Sequence, residues 1–276
     1  MNWKSPHNRK LPVPRGAPLV MGVLNVGAFS FSDGGKYVET SAAQEHAAEM
    51  LRQGADIIDI GAESTRPDAA EISAAEESAA LLPKIRAVRK RFPDAAISAD
   101  TYKPEVAEAA IEAGADIIND VYANRRADGS YPMAEVASRL NAPLILTHSC
   151  RGETFSGGFF DFFMDSMKSR IDAALAAGIS ADMLVLDPGV GFGKTAEQNF
   201  ELIRRLGELR AFGFPILLGV SRKSLFAEIC GNNMSARDAA TCAVSAYAAA
   251  RNSCDILRVH NVAENVAAIK TILKLS

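Results

Sequence analysis

Eight short β-branched runs, spaced by alanine-rich segments with helical periodicity, predict a single (β/α)8 TIM barrel, an α/β fold. Two further observations favour it. The runs are apolar almost throughout, as parallel strands buried on both faces must be. Eight such units also fit in roughly 250 residues, the usual size of this barrel. A doubly wound open sheet is the rival, but no Gly-x-Gly-x-x-Gly follows the first strand, where a dinucleotide fold carries it.

The first run, "LVMGVLNV", brings Asn25 to its C-terminal end, and "SAAQEHAAEMLRQG" follows as a helix closed by a C′ glycine. The second, "ADIIDIGA", delivers Asp59 and then Glu63. The third, "AAISADTY", ends on Asp100 and leads into the helix "EVAEAAIEAG". The fourth, "ADIINDVY", supplies Asn119 and Asp120, and the fifth, "PLILTHS", supplies His148. After the helix "SMKSRIDAALAAG" come "MLVLDPG" with Asp187, "PILLGVS" followed by Arg222 and Lys223, the small-residue helix "AATCAVSAYAAA", and "DILRVHNV" with Arg258 and His260. A barrel of this kind works at the C-terminal ends of its strands, and that is where these polar residues fall.

Length and composition bound the rest. With 276 residues, 48% hydrophobic and 23% charged, the chain is large enough for one sizeable α/β domain, and no linker or low-complexity tract divides it. A net charge of -3 gives no general attraction to nucleic acid or an anionic membrane. The polar, proline-rich start "MNWKSPHNRKLPVPRGAP" has no apolar signal-peptide core, and no later run is long enough to span a bilayer, so a cytoplasmic location is expected. Cys150, Cys230, Cys242 and Cys254 are scattered without a Cys-x-x-Cys pair and read as reduced thiols.

"LDPGVGFGKT" looks at first like a nucleotide phosphate loop, yet only three residues separate Gly189 from Gly193 where that loop needs four. Placed after the sixth strand, its glycines let the loop bend over the barrel mouth, with Lys194 expected as a loop cation. Two chemical groups converge there. Asp100, Asn119 and Asp187 offer acceptors and amide donors suited to the edge of a flat amino-pyrimidinone heterocycle, with Lys223 against the ring; buried carboxylates need donors, and such a ligand supplies them. Arg66, Arg222, Lys223, Arg258 and His260 form a cationic group, strengthened by a helix expected to open at Ser224, and they suit a phosphate or pyrophosphate. His148 is expected to be structural, and His7 and His46 have no assigned role.

In this order the motifs "MGVLNV", "SFSDGG", "DIGAESTRP", "ISADTYKPEVAEAAIEAGADIINDV", "LDPGVGFGKT", "GVSRKS" and "RVHNV" resemble the bacterial dihydropteroate synthases of the pterin-binding barrel superfamily, from about Leu19 to the C-terminus. The resemblance implies a pterin-binding domain over residues 19–276 behind an N-terminal extension, 1–18. It implies displacement of pyrophosphate from 6-hydroxymethyl-7,8-dihydropterin pyrophosphate by p-aminobenzoate, through a pterin cation. Carried over, the pterin pocket falls on Asp100, Asn119, Asp187 and Lys223. The pyrophosphate site falls on Asn25, Arg258 and His260, with Asn25 also a Mg²⁺ contact, and the p-aminobenzoate site on Phe31, Thr65, Arg66, Pro67 and Ser224. A homodimer through the last helices is implied as well.

The chain departs from that family pattern in its first loop. Thr-Pro-Asp is replaced by Gly27-Ala28-Phe29, which removes a negative charge from a loop expected to close over the developing cation. "HSCRG" replaces His-Met-x-Gly and adds Arg151, expected to face solvent. A divergent pterin-binding paralogue with weak or no synthase turnover is therefore the alternative. A pterin-dependent methyltransferase is less favoured, because "SRKS" and "STRP" suit a pyrophosphate and an aminobenzoate that it does not use.

Overall fold

The structure, a computed structural model, describes residues 1–27, 39–64, 70–123, 125–126, 128–153 and 156–275. Its eight strands are all parallel: β1 Leu19–Asn25, β2 Ile57–Gly61, β3 Ala96–Asp100, β4 Ile117–Asp120, β5 Leu144–Thr147, β6 Leu184–Asp187, β7 Leu217–Leu218 and β8 Ile256–Val259. They run in the order β6-β5-β4-β3-β2-β1-β8-β7, and a parallel bridge between Leu186 and Ile216 joins β6 to β7 and closes the ring. That closure excludes the open-sheet alternative.

The helices between them are α1 Thr40–Arg52, α2 Ala74–Arg91, α3 Pro104–Glu112, α4 Pro132–Leu140, α5 Phe159–Ala176, α6 Ala196–Arg205, the single turn α7 Ala227–Cys230, α8 Met234–Ala250 and α9 Val262–Leu275. Their starts are chemically marked. Ser73 with Glu76 and Thr195 with Gln198 form reciprocal capping boxes at α2 and α6, and proline opens α3 and α4. Alanines at Ala43, Ala47, Ala107 and Ala110 are fully buried, which lets α1 and α3 lie close against the strands.

Register sets up the mouth. Asn25 pairs with Gly61, Gly61 with Asp100, and Asp100 with Asn119, so three polar side chains share one row around the barrel. A Cβ on Gly61 would lie 3.1 Å from the Asp100 Cβ; its absence leaves the Asp100 carboxylate room.

At the opposite end the N-terminal segment lies across the barrel floor. Trp3 and Leu11 are buried, the Trp3 indole donates to Pro12 O at 2.8 Å, and the His7 ring meets Ile111 O and Ala115 O at 2.9 and 3.0 Å. Its anchor is Asp116, fully buried, with one oxygen accepting from Ser5 Oγ and Arg9 Nε at 2.6 and 2.8 Å and the other from Arg89 Nη2 and Ile97 N at 2.5 and 3.0 Å. His7, without a role in the sequence, thus holds one carbonyl in the last turn of α3 and one just beyond it.

Candidate active site

The centre of the mouth is a network of buried charges. Arg258, from β8, donates through Nε to Asp59 Oδ2 at 2.6 Å and through Nη2 to Asp100 Oδ2. Asn119 donates through Nδ2 to the same Asp59 oxygen at 3.1 Å. Asp59 Oδ1 and Asn119 Oδ1 are buried with no hydrogen-bond partner among the described residues. Such unfilled acceptors are costly in a protein interior and suit a ligand that brings N–H groups.

Electrostatics follow from this crowding. Burial raises the Asp100 carboxyl to about 7, with Asp59 adding to the rise and Arg258 opposing it. Burial also raises Asp187, whose Oδ1 accepts from Gly189 N at 2.7 Å. Lys223 is driven down to about 8 by burial, against the pull of Asp187 and Asp100. Its ammonium donates to Val190 O at 2.5 Å and stands 4.7 Å above the Phe192 ring. Burial would lower Arg258, but its two carboxylate partners outweigh that and raise it.

Around the rim the expected residues divide. His260 joins the centre: its Nδ1 lies 2.9 Å from Ser221 Oγ, which also accepts from His260 N at 3.1 Å. The Ser221 hydroxyl thus meets both the backbone and the ring of His260 and fixes the orientation of the imidazole. Burial, reinforced by Arg222, Arg258 and Lys223, holds this imidazole well below its ordinary value and so neutral. Asn25 ends β1 level with Asp100, and Ser224 is exposed at the rim.

Other expectations need correcting. Arg222 leaves the anion group: its backbone is left-handed, φ 60°, and its guanidinium pairs with both Asp238 oxygens on α8 at 2.7 and 2.9 Å. The helix expected at Ser224 is a 3-10 turn, Ser224–Phe226, running into the four residues of α7, too short to develop a substantial dipole. Lys194 is not a free loop cation, since its ammonium donates to His148 O, Gly189 O and Phe192 O at 3.1, 2.8 and 3.2 Å. Arg151 does not face solvent alone; it lies 5.0 and 5.5 Å from the Tyr122 and Phe192 ring centroids and donates to Tyr122 OH. His148 is internal as expected, packed 4.7 Å from Phe163 and held neutral by burial. Phe31, Thr65, Arg66 and Pro67, with Phe29, lie outside the described residues.

Two of the residues delivered by the second run, Asp59 and Glu63, had no assigned role in the sequence. Asp59 joins Arg258 to Asn119, and its signal was a lone carboxylate inside an otherwise apolar strand. Glu63 accepts from Lys103 Nζ, from Tyr102 OH at 2.9 Å and from Ile72 N at 3.4 Å, so it links the end of β2 to the residues after β3 and to those just before α2.

Comparison with known proteins agrees with this geometry. The family model described as "Pterin binding enzyme" matches residues 21–260. A dihydropteroate synthase of Clostridium beijerinckii is 41% identical, with 91% of each chain covered. The chain belongs to the dihydropteroate synthase family. Among solved structures, a Yersinia pestis dihydropteroate synthase in a sulfonamide drug complex superposes with a TM-score of 0.89 at 34% identity, covering 100% of this chain and 98% of that one. A Xanthomonas albilineans dihydropteroate synthase with 4-aminobenzoic acid gives 0.85 at 36% identity, covering 94% and 93%. Enzymes of this family are transferases of folate biosynthesis. Among the described residues no helix is long and apolar enough to cross a membrane.

Proposed function

We propose that the chain joins 6-hydroxymethyl-7,8-dihydropterin pyrophosphate to p-aminobenzoate, giving dihydropteroate and pyrophosphate. The observation that carries this is the ring of Asp59, Asp100, Asn119 and Asp187 around Arg258 and Lys223, whose two unfilled acceptors match the N–H groups of an amino-pyrimidinone. In this mechanism Asp100, Asn119 and Asp187 hold the pterin edge and Lys223 lies against the ring. The C–O bond to pyrophosphate breaks with its electron pair leaving on oxygen. The aniline lone pair then forms the new C–N bond, and the ammonium so made loses a proton. The buried carboxylates stabilise the electron-poor ring as it forms.

The leaving group meets Asn25, Arg258 and the His260 imidazole. Because Arg258 already bridges two carboxylates, its role is to couple the pterin and pyrophosphate ends rather than to supply a free charge. Among the described residues no group of three or more His, Cys, Asp or Glu side chains is arranged to hold a metal ion. One amide oxygen without a carboxylate cage fits a Mg²⁺ that arrives on the pyrophosphate, with Asn25 as its protein contact. When bound, that ion neutralises charge on the departing oxygens.

Phe31, Thr65, Arg66, Pro67 and Ser224 form the p-aminobenzoate site in this proposal, the site that sulfonamides also occupy. We further read residues 1–18 as an extension of a single catalytic domain, 19–276, and the protein as cytoplasmic. Exposed Ile229 on α7, Tyr247 on α8 and Leu275 on α9 favour a homodimer through these helices.

One observation favours reduced turnover as a second reading. A Cβ on Gly27 would stand 2.0 Å from Ala62 O, so the chain leaves β1 on a path closed to the family's usual threonine. Pyrophosphate release from the dihydropterin pyrophosphate with Mg²⁺, followed with and without p-aminobenzoate, tests both. Stoichiometric dihydropteroate is expected, and Phe29→Asp then reports what the missing loop charge contributes. Pterin binding without aminobenzoate-dependent product would leave the divergent pterin-binding protein.

A further inference from the structure

We propose that Lys194 is a positioning residue for the pterin pocket: it locks the loop after β6 onto the loop after β5 and so fixes Asp187 and Lys223 relative to each other. The inference rests on the assignment of the mouth to a pterin.

The loop from Asp187 to Lys194 touches the pocket at two points. Its start carries Asp187, and its middle holds Lys223, through Val190 O at 2.5 Å and the Phe192 ring at 4.7 Å. The loop is intrinsically loose because three of its residues are glycine, and Gly189, Gly191 and Gly193 are all held in left-handed backbone, φ 66°, 87° and 69°. Glycine loses the most conformational freedom on ordering, so something must offset it. The close fit itself demands glycine: a Cβ on Gly189 would lie 1.8 Å from His148 O, and one on Gly193 would lie 2.6 Å from Arg151 N.

Lys194 supplies the offset. Its three ammonium donors reach one carbonyl of the β5 loop, His148 O, and two of its own loop, Gly189 O and Phe192 O. The Phe192 carbonyl also accepts from Cys150 N at 3.1 Å, so the same atoms hold both loops. Asn199 on α6 works from the other side, accepting from Gly191 N at 2.7 Å and donating to Lys194 O at 3.2 Å. No ammonium proton is left over for substrate, so Lys194 acts through the loop rather than on the reacting atoms.

Lys194→Met keeps the length of the side chain and removes all three donors. Binding of dihydropterin pyrophosphate is measured by isothermal titration, together with KM for p-aminobenzoate and thermal stability. The expected result is a rise of about tenfold in the pterin Kd, with the aminobenzoate KM within about twofold. Asp116→Asn, at the barrel floor, is the control for mere destabilisation: it is expected to lower Tm and leave the pterin Kd unchanged. If Lys194→Met fails to fold, Asn199→Ala loosens the same loop and carries the same expectation. A variant with wild-type pterin Kd, whatever its Tm, overturns the inference alone. A wild-type chain that binds no pterin overturns the pterin assignment and this inference with it.

Discussion

Asp116 at the barrel floor and Asp59, Asp100 and Asp187 at the mouth are all buried or nearly so, but they are compensated differently. The floor carboxylate accepts four hydrogen bonds, two on each oxygen, from two arginines, a serine and a backbone amide. At the mouth, Asp59 keeps one oxygen without a partner among the described residues, and burial lifts both Asp100 and Asp187. One end satisfies its own charges. The other is left incomplete by the protein, which is the arrangement expected of a site rather than of a structural pin.

The largest effects should separate the two ends. Asp187→Asn retains the size of the side chain and an acceptor but changes the charge presented to the pterin. It is expected to lower kcat/KM by about 10²–10³-fold while Tm holds to within a few degrees. Asp116→Ala strands Arg89 and Arg9 beside a hole and is expected to cost about 3–5 kcal/mol in urea unfolding, with kcat per folded molecule unchanged. A fall in stability for Asp187→Asn equal to that of Asp116→Ala would break the comparison.

A smaller effect appears in the pH dependence of pterin binding. In the proposed pterin site Asp100, raised to about 7, would accept from the ligand as a carboxylate, and Lys223, lowered to about 8, would stand against the ring as an ammonium. Affinity is therefore expected to rise with pH through about 7 and to fall above about 8, a narrow bell read by titration across that range. Stability runs the other way for Asp100. Its raised folded pKa contributes stability that is fully present below the ordinary carboxylate range, near 4, and is lost as pH rises through 7. Asp100→Asn should abolish the acid limb of the binding profile and leave the alkaline limb. An acid limb that survives the substitution would assign it to another group.

The sequence revealed the strands because each is an apolar run, and it revealed Asp100, Asn119, Asp187, Lys223 and Arg258 because each interrupts or ends such a run. Direction was not legible. Arg222 and Lys223 are adjacent in "SRKS", yet the left-handed backbone at Arg222 turns its side chain to α8 while Lys223 enters the mouth. Asp59 read as one strand-end polar group among several, because its link to Arg258 spans 199 residues of chain. The three bonds of Lys194 go to carbonyls, which every residue has, so no pattern of residue types marks them. The floor was invisible for the same reason, since the His7 partners are carbonyls too.

Arg222 offers the finest test, because it belongs to the mouth by position and to the floor by behaviour. Its guanidinium pairs with both Asp238 oxygens, as the floor arginines pair with both oxygens of Asp116. Arg222→Ala is expected to leave pyrophosphate inhibition within about twofold and to cost about 2 kcal/mol, mostly from the Asp238 carboxylate left buried without its partner. Arg222→Gly removes the same pair but relieves the left-handed backbone, which for a residue with a Cβ costs about 1 kcal/mol. The glycine variant should therefore be the more stable of the two by about that amount, in the same urea titration. Equal stabilities would mean that the ion pair alone sets the cost. A tenfold loss of pyrophosphate inhibition in both would return Arg222 to the anion site.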